Sequence, residues 1–122
     1  MSKPMRFACT VALALALACA PHSAAFAASE SGWWVVLASI ATPDNNFTPQ
    51  VEAEVKRVDA AAKRCGIKAF WDFSSKFRGF ARDYTVVVTG PYAAKSAAEA
   101  ALTKAKPCAA GAYIKQGTYA GE

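Results

Sequence analysis

The sequence predicts an α+β domain whose elements follow the order β-α-β-β-α-β. Three observations predict this order: a first run rich in β-branched and aromatic residues, two helical segments with clear ends, and a pair of hydrophobic runs between them. Two β-α units joined by a hairpin give the split β-α-β, or ferredoxin-like, arrangement. Because such crossovers are right-handed, we expect a four-stranded antiparallel sheet with both helices on one face.

The first strand and the first helix have the strongest local signals. Residues 33–41 (WWVVLASIA) read as a strand because β-branched and aromatic residues dominate them. Thr48 and Pro49 then open a helix, as N-cap and first-turn proline, and Gly66 ends it. The helix carries one apolar stripe, which consists of Val51, Val55, Val58, Ala62 and Cys65.

The second half of the chain repeats the pattern after a hairpin. Residues 67–75 and 80–89 are the expected second and third strands, with a hairpin loop at residues 76–79. An alanine-rich helix follows and ends before Pro107, and residues 112–118 form the last strand. We expect the first and third strands to be parallel neighbours, so that both helices run the same way and their C-terminal ends meet.

The N-terminal 27 residues have the features of an export signal. Lys3 and Arg6 precede an apolar run too short to span a membrane as a helix. Ala25-Phe26-Ala27 then gives the small-x-small pattern of a cleavage site. We therefore expect a signal peptide at residues 1–27 and a periplasmic protein, with a flexible lead-in at 28–32 and the domain at 33–119. A lipoprotein anchored at Cys19 is the alternative, although leucine stands one place too early for the lipidation motif.

Loss of residues 1–27 would limit the available chemistry. The remaining chain has no histidine and no methionine, and 12 Lys and Arg face 9 Asp and Glu. Histidine-dependent catalysis and the zinc-protease motif are excluded, we expect no metal and no cofactor, and the charge is too small to indicate nucleic-acid binding. Cys65 and Cys108 remain, and in an exported protein we expect them to form a disulfide at the C-terminal ends of the two helices.

Alternation along the strands predicts an aromatic surface on the side of the sheet without helices. A hairpin loop at 76–79 places Trp71 opposite Tyr84 and Phe73 opposite Arg82. Lys115 should point outward because an unpaired lysine is rarely buried. The expected helix-free side holds Trp34, Val36, Trp71, Phe73, Arg82, Tyr84, Val86, Val88, Tyr113 and Lys115. Such a patch is typical of an interaction site.

Two alternatives stay open for this surface. A register slip of one residue would move Trp71 and Phe73 to the helix side and into the core. A second copy of the chain could also cover the whole face and make a homodimer. Asp72 and Asp83, which face each other in the expected hairpin, are the carboxylate pair that a glycosidase would need, but adjacent arginines favour a structural role and we expect no enzyme.

Several residues resemble the SPOR (sporulation-related repeat) domain family. The stretch at 33–40 (WWVVLASI) looks like the first-strand signature of these domains, and 89–92 (TGPY) resembles their Gly-Pro-aromatic signature. Gly66 and the residues at 112–115 (AYIK) fit the same layout. The resemblance implies the β-α-β-β-α-β fold and binding of peptidoglycan glycan strands through the helix-free face. It departs from the family at Val36, Val86 and Val88, where the family places polar or basic residues.

Together these observations predict a non-catalytic periplasmic module that binds peptidoglycan glycan strands. Aromatic rings suit the apolar faces of sugars, and cationic donors suit their hydroxyl and carboxylate groups. The predicted contact residues are Trp34, Val36, Trp71, Phe73, Arg82, Tyr84, Tyr113 and Lys115. The alternative function is a periplasmic protein-interaction or dimerisation domain that uses the same apolar face, with an envelope or cell-division protein as its partner.

Overall fold

A computed structural model of the chain describes residues 30–121, and the expected signal peptide, with Cys19, lies outside the described residues. The described chain forms five strands and two helices, joined in part by short 3-10 turns at Pro43–Asn45 and Ser74–Lys76. The elements are β1 (Glu30–Ala41), α1 (Pro49–Arg64), β2 (Phe70–Phe73), β3 (Phe77–Arg78), β4 (Tyr84–Tyr92), α2 (Lys95–Ala105) and β5 (Tyr113–Tyr119).

The first helix forms as its sequence predicts. The Thr48 side chain accepts a hydrogen bond from the Val51 amide and caps α1, and Gly66 takes a positive φ of 70° just beyond its end. β1 begins at Glu30 and pairs there with Tyr119, so most of the expected lead-in belongs to a strand. None of the helices within residues 30–121 is long and apolar enough to cross a membrane.

The sheet has five strands in the order β2-β4-β1-β5-β3, which corrects the expected four. Every pairing is antiparallel, including that of β1 with β4, so the expectation of parallel first and third strands was wrong. The additional strand is β3, which pairs with β5. It comes from the segment that we expected to be a hairpin loop.

The sheet is strongly curled, so that its two edge strands, which are close neighbours in the chain, approach each other. β2 lies at one edge and β3 at the other, yet only the three residues Ser74–Lys76 connect them. Two strands, β4 and β1, separate β2 from β5 in the sheet, and still the Tyr119 hydroxyl donates a 2.6 Å hydrogen bond to Oδ2 of Asp72. The helix-free face is therefore the inside of the curl.

Each face of the sheet has its own core. The helix side packs Val35, Leu37 and Val87 against both helices, as expected from the valine stripe of α1. The inside of the curl holds a second cluster around Trp34, which is completely buried. The members of this second cluster are Trp34, Val36, Phe77, Val86 and Val88, with Phe80 and Tyr119 packed against them.

The second core covers part of the aromatic surface that we expected to be exposed on the helix-free face. Phe77 lies edge-on to Trp34 at a centroid distance of 5.2 Å, and Phe80 stacks on Phe77 at 4.6 Å. These rings cover the middle of the helix-free face and shield it from solvent. The interior of that face is thus filled by the chain itself, and a smaller part stays accessible.

The register of β2 also differs from the expected hairpin. Trp71 lies opposite Val87 and Phe73 opposite Thr85, an offset of three residues from the expected partners. Because an odd offset moves every side chain to the other face, Trp71 and Phe73 lie on the helix side. Both contact Phe47 there, which stacks on Trp71 at a centroid distance of 4.6 Å.

The predicted disulfide between Cys65 and Cys108 is confirmed, with a Cα–Cα distance of 6.3 Å. Cys65 is the C-cap of α1, and Cys108 lies three residues beyond the end of α2. The bond therefore holds the two helix ends together, as expected. It also anchors the connection that leads from α2 into β5.

Candidate binding groove on the helix-free face

Part of the accessible surface on the helix-free face is a groove of about 260 Å³. Its walls come from four parts of the chain: β1, the segment between β3 and β4, the start of β4, and β5. The lining residues are Ser39, Phe80, Ala81, Tyr84, Val86, Tyr113 and Lys115. Three of the eight predicted contact residues, Tyr84, Tyr113 and Lys115, thus lie together here.

A β-bulge in β1 directs Ser39 into the groove. The pairing of β1 with β4 shifts between Val36 and Ala38, and Leu37 and Ala38 both pack on the helix-side core. A bulge of this kind changes the parity of the strand beyond it, so Ser39 shares the helix-free face with Val36. Its hydroxyl lies 2.8 Å from the Tyr113 hydroxyl across the groove.

Tyr84 and Tyr113 are the exposed aromatic residues of the groove, with 37% and 41% of their surfaces accessible. The Tyr84 amide donates to Oγ of Ser74 at 3.1 Å, which fixes the start of β4. Tyr113 begins β5 and lies opposite Val36. Rigid backbone positions of this kind present aromatic rings at a low entropic cost.

Lys115 supplies positive charge to the groove. It lies opposite Trp34 in the β1–β5 pairing, and the indole nitrogen of Trp34 donates to the Gly117 carbonyl at 3.1 Å. Within residues 30–121, the three ion pairs all join residues of α1, so no carboxylate neutralises Lys115. The ammonium group remains available to an anionic or hydroxyl-rich ligand.

The other five predicted contact residues lie elsewhere. Trp34 and Val36 have the expected parity but are completely buried, so they support the groove from below and cannot contact a ligand. Trp71 and Phe73 lie on the helix side, as described above. Arg82 is exposed in the segment between β3 and β4, next to the lining residue Ala81.

Sequence reasoning missed Ser39, Phe80 and Ala81. Ser39 was missed because the bulge that reorients it has no simple sequence signature. Phe80 has one: Phe77 lies inside the expected turn at 76–79, and Phe80, the first residue of the expected third strand, directly follows that turn. Large apolar residues are uncommon in such turns, and their presence favours a segment that folds back on the sheet.

The two aspartates of the enzyme alternative do not form a carboxylate pair across a hairpin. Asp72 lies in β2 opposite Val86 and accepts from the Tyr119 hydroxyl. Asp83 has a positive φ of 70° and accepts from the Asp44 amide at 3.1 Å. Both carboxylates therefore have structural partners. Within the described part of the chain, no group of three or more His, Cys, Asp or Glu side chains could hold a metal ion.

Comparison of the chain with models of known protein families, with curated proteins and with solved structures finds no match. The resemblance to SPOR domains rests on the strand and Gly-Pro-aromatic motifs quoted above.

Proposed function

We propose that this protein is an exported, non-catalytic module that binds the glycan strands of peptidoglycan in the groove on the helix-free face. The observation that carries the proposal is the meeting of Tyr84, Tyr113 and Lys115 in one groove. Alternation along two separate strands, one with Tyr84 and the other with Tyr113 and Lys115, assigns these residues to one face of the sheet.

The chemistry of the groove suits an amino sugar polymer. Two tyrosine rings and Phe80 offer apolar faces to pyranose C–H groups, and the tyrosine hydroxyls can exchange hydrogen bonds with sugar hydroxyls. Lys115 can pair with the lactyl carboxylate that the glycan strand carries, since a charge-assisted hydrogen bond is stronger than a neutral one. Arg82 is exposed and directly follows the lining residue Ala81, so it is a further candidate contact for the glycan strand.

The size of the groove also fits part of a polymer. At about 260 Å³ it is slightly smaller than the roughly 300–1,000 Å³ of pockets that enclose drug-sized ligands. A groove of this size can hold a short section of a longer chain.

Export supports the proposal independently of the groove. The N-terminal sequence has the pattern of a signal peptide, and the Cys65–Cys108 disulfide is typical of proteins that fold in an oxidising compartment. A periplasmic location would bring the module into contact with peptidoglycan. A partner protein must then supply any enzymatic activity that the module localises.

The structure gives less reason to expect a homodimer. A second copy of the chain would be needed if a broad aromatic sheet face were left in contact with water. Phe77 and Phe80 already cover the centre of that face, so a partner is not needed to bury it. The remaining exposed surface is better suited to a narrow ligand than to a broad interface.

The experiment that tests the proposal is co-sedimentation of the exported, oxidised protein with purified sacculi. We expect the protein to pellet with sacculi, and to pellet more strongly after amidase treatment has removed the stem peptides. Lys115→Met should weaken binding by up to about fivefold, the upper end expected for loss of one partly exposed ion pair. Lys104→Met, which changes a lysine of α2 outside the groove, is the matched control.

Two results would refute the proposal. One is no enrichment of the unmodified protein in the sacculus pellet at any salt concentration. The other is equal binding by the Lys115 and Lys104 variants, which would show that sacculi retain the protein through general positive charge.

A further inference from the structure

The strand β1 extends beyond the strand beside it. Its pairing with β4 continues to Ala41, whereas its pairing with β5 ends at Val36. From Leu37 to Ala41, β1 therefore has a strand partner on one side only within the described chain. The backbone hydrogen bonds outside the helices and strands do not involve these residues, and one side-chain hydroxyl, that of Thr42, binds the Ile40 carbonyl.

A cavity lies on each face of the sheet at this free edge. The groove described above lies on the helix-free side. A second cavity of about 420 Å³ lies on the helix side, between β1, α1 and the connection from α2 to β5. Its lining includes Leu37, Ser39, Arg57, Cys108, Ala110 and Tyr113. Ser39 and Tyr113 line both cavities, so the two spaces adjoin along the edge.

We propose that the free edge of β1 binds an extended polypeptide segment of a partner protein by strand addition. A segment that pairs with Leu37–Ala41 would direct alternate side chains to opposite faces of the sheet. One set would enter the groove beside Tyr84, and the other would enter the cavity beside Arg57. Backbone pairing supplies affinity in this mode of recognition, and the pockets for alternate side chains supply specificity.

The lining of the two cavities defines the side chains that fit. The helix-free groove, with Phe80, Tyr84 and Val86, favours an apolar or aromatic residue. The helix-side cavity has Arg57 in its lining, and its guanidinium favours a polar side chain that accepts a hydrogen bond. The preferred segment thus alternates apolar and polar residues.

The positive charge of Arg57 does not require an acidic side chain in the bound peptide, because Arg57 already has a carboxylate partner. Its guanidinium donates to both carboxylate oxygens of Glu54, at 3.2 Å and 2.6 Å. This hydrogen-bonded pair lowers the pKa of Glu54 and raises the pKa of Arg57. A neutral acceptor such as an amide can bind the remaining N–H groups without competition from the ion pair.

The disulfide gives the helix-side cavity a fixed wall. Cys108 is bonded to the end of α1, and the Cys108 and Ala109 amides donate to the Ala105 carbonyl at 2.9 Å. Lys106 also donates to the Ala110 carbonyl at 3.3 Å. The space between this wall and β1 is therefore formed before a ligand arrives, which lowers the entropic cost of binding.

The inference concerns a peptide and goes beyond the glycan proposal. A glycan strand has no backbone amides that alternate in direction, so pairing with the strand edge distinguishes the two ligands. Denuded sacculi test the groove alone, and peptides test the edge and both cavities. Failure of one proposal leaves the other intact.

The test uses a displayed library of random peptides selected against the oxidised protein. The tightest peptide is then synthesised in two forms, each N-methylated at alternate residues. In an added strand, one set of N–H groups faces β1 and the other faces solvent. We expect methylation of one set to abolish binding and methylation of the other to leave the affinity within about twofold of the parent peptide.

A pair of protein variants locates the site. Ala110→Trp fills the helix-side cavity from an exposed position and should weaken peptide binding about tenfold or more, as loss of one well-filled pocket does. Ala100→Trp, at an exposed position of α2 outside the cavity, should bind like the parent. Thermal melting of both variants verifies that they fold.

Three results would overturn the proposal. The first is failure of the library to yield any peptide that the Ala110→Trp variant binds more weakly. The second is equal loss of affinity from both methylated forms. The third is a concentration-dependent dimer in solution that Ala110→Trp disrupts, since a second copy would then occupy the edge.

Discussion

The hydroxyl of Tyr119 in β5 donates a 2.6 Å hydrogen bond to the carboxylate of Asp72 in β2, across a sheet in which two other strands separate them. The contact is possible because the sheet curls until its ends approach each other. Phe70 of β2 also contacts the Tyr119 ring, at a centroid distance of 5.2 Å. This closure buries Trp34 and leaves the groove beside Tyr84 and Tyr113 accessible on the helix-free face.

Removal of the closing hydrogen bond should destabilise the fold. We expect Tyr119→Phe to lower the free energy of unfolding by about 1–3 kcal/mol, because a partly buried carboxylate loses its hydroxyl donor. Tyr113→Phe is the matched control: it removes the exposed hydrogen bond to Ser39 and should change stability by less than about 0.5 kcal/mol. Urea unfolding measures both. Equal effects would show that the Tyr119–Asp72 contact does not close the curl.

Close packing at Gly117 should make this position intolerant of a side chain. An added Cβ would lie 2.8 Å from Cε1 of Phe80 and 2.9 Å from the Arg78 carbonyl oxygen. We expect Gly117→Ala to cost about 1–3 kcal/mol through overpacking and to displace Phe80 from the groove wall. Gly111 has no atom within 4 Å of an added Cβ, so Gly111→Ala should be neutral or stabilise by up to about 1 kcal/mol. Urea unfolding of the two variants decides between these outcomes.

The disulfide should contribute a large share of the stability of this small domain. Cys65 and Cys108 close a loop with a sequence separation of 43, and the chain-entropy treatment then gives about 4 kcal/mol. Unfolding in urea should therefore shift to lower concentration when reductant is added. A double variant, Cys65→Ser with Cys108→Ser, should unfold like the reduced protein and should not respond to reductant. An unchanged midpoint for the parent protein would contradict the expectation.

Local signals in the sequence predicted the α+β class and the first helix correctly. The cap at Thr48, the valine stripe of α1 and the stop at Gly66 all belong to one helix, so they can be read without knowing how distant segments of the chain pack. The side of the sheet on which Trp34 and Lys115 lie was also predicted. A valine is favoured on the side that packs in a core, and an unpaired lysine on the side that reaches solvent.

The path of the chain between β2 and β4 could not be predicted in the same way. An assumed loop at 76–79 fixed the partner of Trp71, and an odd error in that register reversed the face of the whole strand. The real segment crosses to the opposite edge of the sheet as β3, which depends on contacts of Phe77 and Phe80 with a distant tryptophan. Such long-range packing leaves only an indirect trace in the sequence, namely apolar residues where a turn should be polar.

The central claim is that the ligand binds on the helix-free face. Sacculus binding by two variants, each lacking one exposed aromatic side chain, tests this claim most directly. Tyr84 lies in the groove and Trp71 stacks on Phe47 on the opposite face, while their exposed fractions are almost equal, at 37% and 40%. Co-sedimentation with amidase-treated sacculi should fall at least about fivefold for Tyr84→Ala, because loss of one stacked ring costs roughly 1 kcal/mol or more. Trp71→Ala should pellet like the parent protein. Retention of binding by Tyr84→Ala together with its loss in Trp71→Ala would contradict the assignment of the ligand to the helix-free face.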